Sequence, residues 1–148
     1  MKNRSKSRQF AVQALYSWLL TGQNISDIEV HFISEHDMGD ADISYFQEIL
    51  HFVTAHKMAL IDHMVSFLSR PFAEVDPVEQ AILLIGSYEL EQRRDVPYRV
   101  VINESVKSAK IFGAEDGHKF INGILDKIAS TLREVEVNAP RRKQPRKK

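Results

Sequence analysis

The chain has 148 residues, with 20 Lys+Arg against 20 Asp+Glu, 43% hydrophobic residues and no cysteine, a composition that suits one globular domain held by its core alone. Disulfides, thiolate zinc sites and thiol nucleophiles are thereby excluded. No apolar run approaches the roughly 18 residues of a membrane span, and MKNRSKSRQF leads into an amphipathic stretch without a small-residue cleavage site, so a cytoplasmic protein is expected. The neutral total hides a division of charge. Lys2, Arg4, Lys6 and Arg8 at one end and Arg141, Arg142, Lys143, Arg146, Lys147 and Lys148 at the other hold ten of the 20 cations, and neither stretch contains an acid. Residues 9–138 carry the other ten cations and all 20 acids, an acidic body between basic ends. Such ends serve either as arms for a nucleic acid or as an aid to solubility.

Apolar residues recur at helical spacing almost throughout, and strand-length runs of alternating β-branched residues are missing, so the chain is predicted to be all-helical. A first helix spans roughly 5–21, with Ala11, Leu15, Trp18 and Leu19 on one face and Gly22 near its stop. A second, roughly 26–35, starts at Ser26, where Glu29 completes a capping box. HDMGDAD, residues 36–42, is a turn. Asp42 or Ser44 then caps a segment carrying Phe46, Ile49, Leu50, Val53, Met58, Ile61, Val65 and Leu68 inward, either one long helix or two joined near His56, and ended by Pro71.

Residues 76–79, Asp-Pro-Val-Glu, combine an N-cap acid, a proline in the first helical position and a glutamate three residues after the cap. Val78, Ile82, Ile85 and Tyr88 or Glu89 continue that helix, which breaks at 92–95. Pro97 opens another, with Tyr98, Val101, Ile102, Ser105, Val106, Ala109 and Phe112 along one stripe and Gly113 at its end. The last helix, roughly 116–133, turns Phe120, Ile121, Ile124, Leu125, Ile128 and Leu132 inward. Beyond Val137 the Pro-, Arg- and Lys-rich residues are expected to be disordered. There is neither an internal repeat nor an interdomain linker.

Enzymatic signatures are missing. The six glycines form neither GxGxxG nor GxxxxGK[ST], and the six histidines form no HExxH, although His56 and His63 lie two helical turns apart. No catalytic residue, cofactor or metal is expected.

Three segments, SRQFAVQALYSWLL (7–20), DPVEQAILLIGSYEL (76–90) and DVPYRVVINESVKSAKIFGAEDGHKFINGILDKIA (95–129), together resemble the NusB family of bacterial transcription antitermination factors. The third is the most specific, since VPYRVVINE, AKIFGAEDGHKF and NGILDK stand in the family's order and spacing. The resemblance runs over residues 8–134. It implies a single all-α domain, residues 1–137, of about seven helices in two subbundles, followed by the basic tail at 138–148. It also implies binding of the box A element of nascent ribosomal RNA together with NusE, a small-subunit ribosomal protein. NusA, NusG and RNA polymerase are the further partners so implied, and related proteins occur both as monomers and as homodimers. The rival readings are a helical protein-interaction module and a ribosomal RNA processing factor with unspecific RNA affinity.

Arg4 and Arg8, at i and i+4, share a helix face, with Lys6 to one side; in the family this arm holds RNA phosphates, a task suited to guanidinium forks. Here Ser5 and Ser7 interrupt the run. Gln9, Gln13 and Tyr16 make a polar-aromatic stripe. Either it reads RNA by stacking and base-edge hydrogen bonds, or Tyr16 is a core residue with its hydroxyl at the rim. The resemblance turns Gln13 and Tyr16 toward RNA. It does the same for Phe112, Asp116, Lys119 and Phe120 around the start of the last helix, where free backbone N–H groups and Lys119 suit phosphate. On the residues alone, Asp116 is equally a helix cap and Phe120 equally a core residue. Glu79 is accounted for by its capping box, and the resemblance ties it, with Phe67, to NusE.

Overall fold

A computed structural model describes residues 2–113 and 116–140 of the chain. The expected disorder at 138–148 therefore concerns mostly residues outside the described ones. Among the described residues the regular structure is helical, with one isolated bridge between Asn3 and Ala41.

α1 (Arg4–Thr21) starts at Asn3, whose Oδ1 accepts the Lys6 N–H at 3.1 Å, and stops at Gly22, which takes the left-handed backbone (φ 66°) that places its N–H on the Trp18 carbonyl. α2 (Ile25–Glu35) begins one residue before the predicted start, because the cap is Asn24: its Oδ1 takes the Ser26 N–H at 2.8 Å. Glu29, released from any capping box with Ser26, reaches across to Gln47 and His51. Asp42 caps α3 (Ile43–Ala55) by accepting the Tyr45 N–H.

At His56 (φ −125°, ψ 25°) the helix breaks, and α4 (Lys57–Asp62) follows as a separate turn and a half. The predicted continuation to Pro71 does not form. The chain tightens at Met64, whose N–H bonds to Ile61 and whose carbonyl takes Phe67, and two 3-10 turns, Val65–Phe67 and Phe72–Glu74, lead to the next helix. These breaks drive Met64 fully inside and change the phase of the stripe, so Met58 (68% exposed) and Val65 (54%), expected inward, face out.

α5 (Pro77–Gln92) is the axis of the molecule. Asp76 caps it through the Val78 and Glu79 N–H groups, Pro77 occupies its first turn, and every residue from Glu79 to Leu90 is buried. A helix buried on all sides must lie between layers. α1, α3 and α4 pack against it from one side and α6 (Tyr98–Phe112) and α7 (Gly117–Leu132) from the other, so the two subbundles share α5. α7 lies tight against α5 at Gly86, where a methyl group would stand 2.7 Å from a Leu125 methyl carbon.

The short α8 (Glu134–Asn138) was not anticipated, nor was the residue before it. Arg133, 3% exposed, inserts its guanidinium at the end of α5. Nε donates to the Leu90 carbonyl, Nη2 to Glu89 and Arg93, and Nη1 to Val96 and to the Glu136 carboxylate. One side chain thus takes the Leu90 carbonyl that the last turn of α5 leaves open and braces the turn that follows, adding to the main-chain bonds that Glu89 and Arg93 already accept. No helix among the described residues is long and apolar enough to cross a membrane.

Candidate nucleic-acid interface

The first turn of α1 is tied down from below. Arg8 points into the protein, 6% exposed, with Nε 2.8 Å from Oε1 and Nη2 2.8 Å from Oε2 of the fully buried Glu89. Tyr45 donates its hydroxyl to the same carboxylate. Burial works against the charge on Arg8, but the Glu89 carboxylate outweighs it and holds the guanidinium pKa above its ordinary value. Burial, reinforced by Glu89, likewise pushes the Tyr45 hydroxyl up. The expectation that Arg8 offers a fork to RNA is corrected here: that fork is already filled by an interior carboxylate.

Arg4 does share a face with Arg8, and the face is the ring of Tyr45, with guanidinium carbons 4.3 and 5.5 Å from its centroid. Unlike Arg8, Arg4 stays partly open to solvent, 3.9 Å from Asp42 and 3.6 Å from Asp95. Lys6 is exposed and pairs with Asp40 at 2.7 Å.

Beside the arm runs α6. The Ser5 hydroxyl donates to Glu104 and accepts from Lys107 at 3.0 Å, and Arg8 Nη1 lies 3.6 Å from Glu104. Val12 and Ser108 meet at a small crevice floored by Ile82 and Ile85. One helical turn beyond these come Tyr16, 38% exposed, and the half-buried Phe112; Gln13 is half-buried on α1. Lys107, Lys110 and Ile111 are exposed on α6. These two lysines escaped the sequence reading, although they stand three apart opposite the apolar stripe.

At the start of α7, Asp116 and Lys119 project into solvent, their side chains 85% and 76% exposed, with a loose 3.8 Å pair between them. Asp116 is the N-cap residue but makes no side-chain capping bond, so its carboxylate is open to another donor. Phe120 is half-buried against the core. Beneath lies Gly117, where a methyl group would stand 2.5 Å from Oε2 of Glu79. Glu79 is buried and directed at the beginning of α7; burial, then Asp76, push its carboxyl pKa up, and Arg70 opposes them. The residue expected to meet a protein partner and the loop expected to meet RNA therefore abut.

Phe67 packs half-buried at the 3-10 turn. Leu20, Met58 and Val65, each more than half exposed, border two shallow grooves that meet at Ile61 and Phe72, and Phe67 lines neither of them.

The family model described as "NusB family" matches residues 5–130. The chain belongs to the NusB family. Its relatives include the transcription antitermination protein NusB of Shewanella halifaxensis (strain HAW-EB4), 55% identical over 130 residues that cover 88% of this chain and 96% of that one. The NusB of Yersinia pestis (strain Pestoides F) is 52% identical over 130 residues, 88% and 94% of the two chains. Among solved structures, T. maritima NusB matches with a TM-score of 0.75 at 25% identity, covering 88% of this chain and 93% of that one. A crystal structure of the antitermination factors NusB and NusE in complex with double-stranded RNA matches with a TM-score of 0.75 at 25% identity, covering 86% and 96%.

Proposed function

We propose that the protein is a non-catalytic, cytoplasmic adaptor in transcription antitermination, binding box A RNA of nascent ribosomal RNA transcripts together with NusE and acting with NusA, NusG and RNA polymerase. The observation that carries this reading is the match, over nearly the whole length of both chains, to NusB antitermination proteins. The fold's likeness to a NusB that is bound to NusE and RNA supports the same pair of partners.

Residues 1–137 form the binding domain, and the basic residues of 138–148 add affinity for any polyanion. Arg4 and Lys6 on the rim of α1, with Lys107, Lys110 and Lys119, supply cations for phosphates. Gln13, Tyr16, Phe112 and Phe120 supply stacking surfaces and hydrogen bonds for unpaired bases, and Asp116 accepts from base amino or 2′-hydroxyl groups. Arg8 acts through its hold on α1. NusE takes the apolar ground around Phe67, with Glu79 at its edge next to the RNA loop. An acidic body suits a basic ribosomal protein, as the basic arm suits RNA.

The test is binding of a fluorescent box A RNA and a scrambled control, with and without NusE, at two salt concentrations. Neutralising roughly four to six phosphates of a single strand gives a log-log salt slope of about −3 to −4. Preference for box A that sharpens with NusE is the expected result, because two joined surfaces bind more tightly than either alone. Equal binding of both RNAs with no effect of NusE overturns the reading.

A further inference from the structure

The turn between α2 and α3, residues 36–42, lies across the start of α1. Met38 and Ala41 are buried and anchor it, Gly39 turns it with a left-handed backbone (φ 56°), and the Asp37 carboxylate accepts the Gly39 N–H at 3.0 Å. The turn grips the arm through main-chain atoms: Asn3 N–H donates to the Asp40 carbonyl at 2.7 Å, Asp42 N–H donates to the Asn3 carbonyl at 3.4 Å, and the Ser7 hydroxyl donates to the Asp42 carbonyl at 2.7 Å. That grip sets Asp40 against Lys6 and Asp42 beside Arg4, while Asp95, from the turn after α5, closes on Arg4 from another side.

We propose that this acidic turn is a built-in stand-in for the RNA backbone: its carboxylates occupy the cations of the arm in the RNA-free protein, and phosphate must displace them. The proposal rests on the arm's assigned role in RNA binding and adds its regulation. Carboxylate and phosphate compete for the same donors. The Lys6–Asp40 pair is exchangeable, since its two side chains are 48% and 55% exposed, whereas Arg8 is sealed inside on Glu89. The Lys6 ammonium holds the Asp40 carboxyl below its ordinary pKa. Displacement leaves Asp40 to collect counterions of its own, which lowers the net release on RNA binding and flattens the salt slope.

The experiment is a double-mutant cycle on Lys6 and Asp40 in the full chain, read as RNA affinity at several salt concentrations. Asp40→Asn keeps the shape of the side chain, and the main-chain bond of residue 40 to Asn3 is untouched. An exposed ion pair corresponds to roughly a 1.5- to 5-fold change in a binding constant, so Asp40→Asn is expected to tighten RNA binding by that factor and to steepen the salt slope. In the Lys6→Met background the gain is expected to vanish, because no cation is left to release. A gain of equal size with and without Lys6 shows general repulsion of RNA by Asp40 and overturns the proposal, as does no gain in either background. If Lys6→Met itself costs no RNA affinity, the arm's role in RNA binding fails and the stand-in falls with it. If Lys6→Met weakens RNA but Asp40→Asn does not strengthen it, only the stand-in fails. An independent readout is the titration of the Asp40 carboxyl by NMR, which is expected to move up toward its ordinary value when RNA is added and to stay where it is if the pair persists.

Discussion

Replacing Arg8 by alanine separates an arginine that binds phosphate from one that holds the fold. In the folded protein the guanidinium donates three hydrogen bonds to a carboxylate that is itself fully buried. Its removal leaves Glu89 with the Tyr45 hydroxyl alone among these partners. Hydrogen bonds to charged groups contribute roughly 1.5–3 kcal/mol each, but partial relaxation and water entry limit the loss on breaking a buried pair to about 3–5 kcal/mol. For a chain of this size that is a fall in Tm on the order of 10 °C, measurable by calorimetry or by the urea midpoint. The companion variant carries Arg8→Met, Tyr45→Phe and Glu89→Leu together, so that no polar partner is orphaned. It is expected to regain most of the stability, since apolar replacement of a whole buried pair is often neutral, and to bind RNA with an unchanged salt slope. Two results refute the reasoning. One is an Arg8→Ala protein within about 1 kcal/mol of the parent, far below the figure for a broken buried pair. The other is a folded triple variant whose salt slope drops by roughly 0.7, the signature of one lost phosphate contact on a single strand.

Acid should weaken the fold partly through Glu136. Burial pushes its carboxyl up, but the Tyr98 N–H and Arg133 outweigh burial and lower its pKa below the ordinary 4.5. Its stabilising contribution is therefore complete above pH 4.5 and disappears as pH falls through the lowered value; Glu136→Gln is expected to flatten the urea midpoint in that window, and an unaltered pH profile contradicts this. Arg133→Lys keeps the charge but cannot present a planar fork to five acceptors, so a loss of about 2–4 kcal/mol is expected from the buried carbonyls it leaves with fewer donors; a cost below about 1 kcal/mol, the net worth of one ordinary hydrogen bond, counts against the bracing role. Lys119→Ala is expected to weaken all RNAs alike, whereas Asp116→Ala is expected to change the ratio of box A to scrambled affinity. Parallel losses for both variants across both RNAs contradict that division.

The parts of the fold that were legible in the sequence are those decided by neighbours in the chain. Residues 76–79 carry a complete helix start, and the structure uses Asp76 and Pro77 as read. Gly22 stops α1 because the left-handed backbone it adopts suits a residue without a side chain. Met58 and Val65 face out because a single periodic stripe does not survive the breaks at His56 and Met64, although Ile61, between them, keeps its inward place. Arg8 was misread because its partner lies 81 residues away. A clue was nevertheless present: Arg8 precedes Ala11, Val12 and Leu15 at core spacing, and Glu89 interrupts an otherwise apolar run. A cation and an acid each placed where an apolar residue belongs are candidates for each other. Of the residues proposed to meet RNA, Asp116 and Lys119 stand free of the core. Lys107 and Lys110 carry no signal of their own, because the periodicity that reveals α6 is that of its apolar side. Arg133 was beyond reach, since the value of its position depends on where the far end of α5 arrives.

The cap that Arg133 places on α5 has a consequence for the order in which the protein can be finished. Synthesis delivers the carbonyls of Glu89, Leu90, Arg93 and Val96 some forty residues before the guanidinium that gathers them. Until residue 133 has left the ribosome, the Leu90 carbonyl at the end of the central helix lacks its donor and the turn after it lacks its brace, although the other end of the helix and its pairing with Arg8 are already available. The last step of assembly is therefore a local event at the carboxyl-terminal side, and it comes late for a domain of this length. A chain stopped at Leu132 is expected to retain helical far-ultraviolet dichroism but to lose the sharp unfolding transition. A truncated chain that melts as cooperatively as the full one would place the cap among the conveniences of the fold instead of its requirements.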